Sequence, residues 1–245
     1  MGRPFSEIGI DRSLPHIGVI MEKTDTSAYP RFELPPGFAF SHYRPGFERR
    51  WAALQREVES ADSLEEAETV FKREFLDGKG MDWLHRSTES LDFVDIENSP
   101  CFNELTKTML FVLGGDGELA GTGSLWNGGI FGEVRQRLHW IAVSPKHQGK
   151  GLSKAIVSKL LDLYNDLGYG GYIYLTSQTW SYKALNVYMK FGFAPYMGEK
   201  PMNWNAVNME SGNYEPWDYL EKNVEAWDMI FEKINQYRDR GVHAE

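Results

Sequence analysis

The sequence predicts an α+β or α/β layout, helices around one mixed central sheet, and three observations point to it. Apolar positions switch repeatedly between a two-residue and a 3.6-residue period, in the order strand, two helices, hairpin, strand, helix, strand, helix. The 245 residues are 42% hydrophobic and 25% charged, the balance of a chain with a real core. The single cysteine, Cys101, excludes an internal disulfide framework, so that core must hold by packing.

The elements follow in order. His16 to Met21 is a strand-like run, succeeded by polar and Pro-containing sequence up to Pro35-Pro36-Gly37, which reads as an N-terminal extension (1–36) closing in a turn. Phe38 to Tyr43 alternates aromatic with small or polar residues, a half-buried strand broken by Pro45-Gly46. Trp51, Leu54 and Val58 share one helix face in Phe47–Val58. Ser63 followed by Glu66 is the pattern of a capping box opening a second helix to about Phe75. Met109–Leu113, the glycine-rich turn 114–117 and Leu119–Trp126 form a hairpin. A strand at Arg137–Val143 leads to a helix at Leu152–Leu167, with Ile156, Leu160, Leu161 and Tyr164 in one stripe. A buried strand at Gly171–Leu175 precedes a helix from Ser181 to Phe191, which stops at Gly192. The central domain therefore spans 37–197, and a C-terminal helical extension (198–245) ends in a helix from Trp217 to about Tyr237.

Composition narrows the function classes. The net charge of −9 argues against a nucleic-acid partner. It would favour a cationic small molecule, or serve solubility alone. No apolar stretch has the length of a membrane span, and Met1-Gly2 with Ser6 matches a myristoylation pattern only loosely, with Pro4 following and no basic cluster. With one cysteine and no signal peptide, the expectation is a cytoplasmic protein without membrane attachment.

The informative stretch is His139-Trp140-Ile141-Ala142-Val143-Ser144-Pro145-Lys146-His147-Gln148-Gly149-Lys150-Gly151-Leu152-Ser153. A strand ends, and a loop with two glycines enters a long helix. The first turn of a helix leaves N–H groups unpaired and partly positive, and glycines let an anion approach. Two readings stand: a plain strand-to-helix turn, or a phosphate site with Lys150 and Lys154 at its rim. Walker spacing is absent, and Gly115–Gly121 does not fit a dinucleotide fingerprint.

Gln148-Gly149-Lys150-Gly151-Leu152-Ser153 resembles the Q/R-x-x-G-x-G/A motif of the GNAT acyltransferases, directly after a strand ending Ile-Ala-Val. About forty residues on, Ala184, Tyr188 and Phe191-Gly192-Phe193 resemble the A-x-x-x-Y-x-x-x-G-F segment of the same family. The resemblance covers about residues 37–195 and implies the GNAT fold, an α+β (α/β/α) arrangement with a mixed central sheet flanked by helices, with acetyl-CoA as co-substrate and an amine, small-molecule or peptide, as acceptor. By that resemblance the backbone of Ile141, Ala142 and Val143 pairs with the pantetheine arm. The N–H groups of Gln148, Gly149, Lys150, Gly151, Leu152 and Ser153 hold the pyrophosphate, and an N–H near Ile141 polarises the thioester carbonyl. Tyr188 matches the tyrosine that protonates the leaving thiolate; its other reading is a packing residue, since Ala184, Tyr188 and Phe191 share a helix face.

Departures from the pattern matter. Ser153 replaces a second Gly or Ala, and Ser181 stands where many members carry an Asn that contacts the cofactor. Arg137 and Thr176 occupy the places where some members carry a catalytic Glu, so the resemblance supplies no general base. His139 is the candidate, read as lying on the same strand face as Ile141; its other reading is a buried, hydrogen-bonded strand histidine. Glu48 and Glu133 are further candidates, whereas Cys101 has no His or basic neighbour to activate it as a nucleophile. His139 and His147 lack a carboxylate at ligand spacing, and no metal is expected. Phe47–Phe75 and the Trp-rich tail from Trp204 to Trp227 are expected to shape the acceptor pocket, with Tyr43, Arg44 and Trp126 as lining candidates or core residues. An exposed sheet edge or the C-terminal helix suits a homodimer. The expected function is direct acetyl transfer to a primary amine; the alternative is a non-catalytic acyl-CoA sensor on the same fold.

Overall fold

The structure is a computed structural model that describes residues 9–76, 93–99, 101–204 and 218–242, with the backbone alone for 93–95 and 240–242. In chain order the elements are β1 (Gly18–Lys23), β2 (Phe38–His42), α1 (Phe47–Glu57) and α2 (Leu64–Phe71), which runs on as a π-helical turn at Lys72–Leu76. After a 3₁₀ turn at Phe93–Asn98 come α3 (Phe102–Thr108), β3 (Met109–Gly114), β4 (Leu119–Gly128) and β5 (Arg135–Val143). Then follow α4 (Leu152–Asp166), β6 (Ile173–Gln178), α5 (Tyr182–Lys190), β7 (Ala194–Pro195) and α6 (Asp218–Val242). Every predicted strand and helix is present with ends moved by a few residues, while α3, β7 and the 3₁₀ and π turns are additions.

Two compact units divide the chain, residues 29–129 with 134–170, and residues 1–28 with 130–133 and 171–245. In the first, β2, β3, β4 and β5 form an antiparallel meander. Ser63 caps α2 as expected, its Oγ accepting from the Glu66 N–H at 3.0 Å, while the Glu66 carboxylate accepts from the Asp62 N–H at 2.6 Å, one residue earlier than a standard capping box. One side of the meander is covered by α1 and α2, where Trp51, Phe71, Phe75, Phe111 and Trp126 make an aromatic core.

Helix α4 lies close against β4 because β4 presents Gly121 and Gly123. A Cβ on Gly123 would sit 2.7 Å from Ile156 Cγ2, 3.0 Å from Ile141 Cγ1 and 3.1 Å from Leu160 Cδ1. Tyr29 and Pro30 to Phe32, within the predicted extension, are pinned to the same helix. The Tyr29 hydroxyl donates to Asp162 at 2.7 Å and the Phe32 N–H to Ser158 Oγ at 2.8 Å.

In the second unit β1 lies between β6 and β7, antiparallel to both. The first strand is thus an interior member of its sheet, although its sequence places it in an extension. Ile20, Ile130, Tyr174, Trp204 and Tyr219 form this unit's own core. Arg238 of α6 donates to Asn186 of α5 at 2.6 Å. Of the expected Trp-rich tail, residues 205–217 lie outside the described residues.

Candidate active site

The site is built first from a break in β5. Opposite β4, Thr122 pairs with Ala142 and Ser124 with His139, so Trp140 and Ile141 together face the single residue Gly123. This is a β-bulge, and Trp140 adopts φ +49°, a left-handed conformation that costs a non-glycine residue roughly 1–2 kcal/mol. Strain of this kind persists where the surroundings over-determine it. Here the Trp140 ring packs edge-on against Trp51, with centroids 5.2 Å apart, and the Ser124 hydroxyl donates to the His139 carbonyl at 2.9 Å.

The bulge corrects one expectation. His139 and Ile141 do not share a face. The His139 ring meets Phe75, with centroids 5.7 Å apart, while Ile141 points toward Gly123, Ile156 and Leu160 on the α4 side. One extra residue between them shifts the two-residue alternation, so both His139 and Trp140 project toward the aromatic core.

Beyond Val143 the chain turns through a 3₁₀ segment at Pro145–His147 and enters α4. Gly149 and Gly151 take φ +77° and +85°, with open space where a Cβ would stand on either. The Gln148 amide donates to the Val143 carbonyl at 3.1 Å and so ties the loop to the strand end. Among the described residues, the backbone N–H groups of Gly149, Lys150, Gly151, Leu152 and Ser153 have no acceptor. The helical ladder starts only with Lys154 and Ala155, which bond back to the Gly151 carbonyl at 3.1 and 3.2 Å. Five consecutive acceptor-free donors at the positive end of a 15-residue helix make a cradle of a kind suited to an anion, and both glycines take positive φ. Lys150 lies at its rim, its Nζ 3.2 Å from His147 Nδ1.

The titratable groups cluster on the aromatic side of β5. His139 Nε2 lies 3.1 Å from Glu74 Oε2 and 3.0 Å from Arg137 Nη2, and Arg137 Nη2 lies 3.4 Å from the same carboxylate oxygen. Burial works against the Glu74 charge. The hydrogen bond and charge of His139, with the guanidinium groups of Arg137 and Arg73, outweigh it and hold the carboxyl well below the usual range. Arg137 is thus an ion-paired residue where some relatives would carry a glutamate. Glu74 escaped the sequence reading: it sits in Lys-Arg-Glu-Phe-Leu, a run that looks like the solvent-facing end of a helix, and only the π turn directs it to β5.

Other candidates fall elsewhere. Glu48 accepts from the Gly46 N–H at 2.9 Å and from the Tyr43 hydroxyl at 3.0 Å, closing the start of α1. Glu133 is exposed in the β4–β5 connection. Tyr43 and Trp126 are buried in the aromatic core, and the Arg44 guanidinium stacks on Phe47 at 4.7 Å. Cys101 is buried ahead of α3. His147 packs on Phe38, with centroids 5.3 Å apart. Among the described residues no group of three His, Cys, Asp or Glu is placed to hold a metal ion, and no helix is long and apolar enough to cross a membrane.

In the second unit Tyr188 lies on α5, 9% exposed, its ring edge-on to Phe193 at 6.2 Å. Burial raises its hydroxyl pKa well above that of an ordinary tyrosine. Ser181 precedes α5, its Oγ accepting from the Gln178 amide at 3.1 Å.

The model of the acetyltransferase (GNAT) family matches residues 70–193, which takes in Glu74, the β5 bulge, the cradle and Tyr188. A GCN5-related N-acetyltransferase from Sphaerobacter thermophilus has a similar structure, with a TM-score of 0.52 at 16% identity over 74% of this chain and 49% of that one. A GNAT-family acetyltransferase from Colwellia psychrerythraea has a TM-score of 0.49 at 10% identity, over 74% of this chain and 53% of its own. A tandem GNAT protein from the clavulanic acid biosynthesis pathway has a TM-score of 0.47 at 13% identity, over 77% and 52%. The chain therefore spans about half the length of these structures. Among curated proteins no sequence match was found. The first of these structures shows the α+β fold expected from the sequence, and a family model that covers about half of the chain means that this chain belongs to the GNAT family of acetyltransferases.

Proposed function

We propose that the protein transfers an acetyl group from acetyl-CoA directly to a primary amine. The observation that carries this reading is the cradle of five acceptor-free N–H groups at Gly149–Ser153, directly after a strand whose bulge re-aims its backbone. The residues fit the cofactor. Donors in a row suit a pyrophosphate, and the absence of a Cβ at Gly149 and Gly151 leaves the approach open.

In this reading acetyl-CoA supplies the activated thioester. The backbone of Ile141–Val143 binds the pantetheine arm and Gln148–Ser153 the pyrophosphate, and Ser181 is a further cofactor contact as its place in the family motif implies. An N–H at the bulge, near Ile141, stabilises the developing oxyanion. By its place in the family motif Tyr188 donates to the departing thiolate, and His139 takes the proton from the attacking amine. The sensor reading rested on the missing carboxylate base. A carboxylate, Glu74, stands 3.1 Å from His139 Nε2, which favours the enzyme reading.

The test is thiol release from acetyl-CoA with polyamines, amino acids, aminoglycosides and peptide N-termini as acceptors. At least one class should stimulate release with matching N-acetyl product, and Tyr188→Phe should lower kcat by about 10²–10⁴-fold while coenzyme A still binds. Tight binding with no amine stimulating release refutes the enzyme reading. The protein acts in this proposal as a cytoplasmic enzyme without metal, and a homodimer remains its proposed assembly.

A further inference from the structure

Strand β6 ends at Gln178 and α5 begins at Tyr182, and the residues between them make a single 3₁₀ turn, Thr179–Ser181. We propose that Thr179 is a positioning residue for the cofactor: fastened to the N-terminal segment 9–17, it fixes the turn that presents Ser181 to coenzyme A. This inference rests on the reading of Ser181 as a cofactor contact, and it gives the N-terminal extension a part in cofactor binding.

So short a turn holds little by itself. Within it the Tyr182 N–H donates to the Thr179 carbonyl, and further support comes from residues 162 to 166 positions earlier in the chain. Thr179 is buried, and its N–H donates to the Ile17 carbonyl at 3.0 Å. Its hydroxyl accepts from the Ile17 N–H at 3.2 Å and donates to the Pro15 carbonyl. A hydroxyl can do both at once, so serine could serve here, whereas valine, of the same shape, offers neither bond. Trp180 is tied to the same segment. Its carbonyl accepts from the Asp11 N–H at 2.9 Å, and its indole donates to the Leu14 carbonyl at 2.7 Å. The His16 ring lies 4.5 Å from the Trp180 ring, and the Arg12 guanidinium lies over it at 4.8 Å.

The segment is anchored at both ends, which makes it a fixed support. At one end it runs into β1, where Gly18 pairs with Gln178, the residue just before the turn. At the other the Gly9 carbonyl accepts from Lys183 of α5 at 3.1 Å, and Asp11 pairs with Lys233 of α6 at 3.4 Å. Ser181 stands two residues beyond Thr179 in the same turn, so a rotation at Thr179 carries it along. Its Oγ accepts from the Gln178 amide at 3.1 Å, which orients the hydroxyl and leaves its proton to be donated to an oxygen of the cofactor.

Calorimetric titration of the full chain with coenzyme A tests this. Thr179→Val should weaken binding by about 3- to 10-fold, the equivalent of one hydrogen bond, and Thr179→Ser should retain the wild-type value. Ser181→Ala should cost a similar factor, and in that background Thr179→Val should add no further loss. Thr108→Val, which also removes a buried hydroxyl bonded to a backbone carbonyl, is the control: it should lower the Tm and leave coenzyme A affinity unchanged. With whichever amine gives the fastest thiol release, Thr179→Val should raise the KM for acetyl-CoA and leave kcat within about twofold. Wild-type affinity in Thr179→Val, or losses that multiply in the double variant, overturns the proposal. If Thr179→Val does not fold, hydrogen exchange of the wild type decides: coenzyme A should slow exchange of the Thr179 and Ile17 amides, and unchanged rates overturn it. A chain that binds coenzyme A but acetylates no amine refutes the acetyltransferase reading and leaves this proposal standing.

Discussion

Gly151 and Gly168 flank the same helix in nearly the same backbone state, one at the cradle and one at the far end, with φ +85° and +74°. A Cβ on either meets nothing within 4 Å, so replacement by Ala brings conformational strain and no collision. An L-residue in that region costs roughly 1–2 kcal/mol. Part of this is offset by the stiffer unfolded chain, leaving a net loss of about 1 kcal/mol and a Tm lower by roughly 2–4 °C for either variant. The two must differ in binding. At Gly151 the strained loop can relax only by closing or turning the row of N–H donors, so coenzyme A affinity should fall by about 5- to 30-fold, the equivalent of the strain. At Gly168 it should not change. Gly149→Ala, at φ +77°, should behave like Gly151→Ala. Thermal unfolding with calorimetric titration of coenzyme A measures both quantities. Equal affinities for the Gly151 and Gly168 variants would refute the assignment of the cradle.

Other predictions follow from the same geometry. Gly123→Ala drives a methyl into Ile156, Ile141 and Leu160 at once, an overpacking that should cost about 1–3 kcal/mol and lower the Tm by roughly 2–12 °C. Because Glu74 has a lowered pKa in the folded protein, the unfolded chain binds more protons below the ordinary carboxylate range. Its contribution to stability is therefore present at neutral pH and lost on acidification, and Glu74→Gln should give a shallower acid-unfolding profile by circular dichroism. Tyr188 has a raised pKa, so its contribution persists below the ordinary tyrosine value and is lost as pH rises beyond it; Tyr188→Phe should flatten the alkaline unfolding profile.

How much of this was legible depended on how locally each feature is encoded. The loop was readable because strand, glycines and helix stripe follow one another within Ile141–Tyr164, whereas the left-handed conformation of Gly149 and Gly151 emerged only in the structure. The bulge was not. Trp140 takes a conformation that a bulky residue rarely adopts, and only the pairing of β5 with Gly123 reveals that the alternation slips there. Glu74 was hidden for a different reason. Its partners stand 63 and 65 residues away, and nothing in the helix pattern before it announces a π turn. The role of β1 was hidden likewise, since its register against Ile173–Gln178 spans most of the chain. Helix α3 has only seven residues, too few for its period to emerge.

The central claim is that acetyl-CoA lies along Ile141–Val143 with its pyrophosphate on the α4 terminus, and a crystal structure of the coenzyme A complex tests it most directly. The account predicts pyrophosphate oxygens within about 3 Å of the N–H groups between Gly149 and Ser153, and the thiol end at the Trp140–Ile141 bulge. Coenzyme A bound elsewhere, with those N–H groups facing only water, would contradict it.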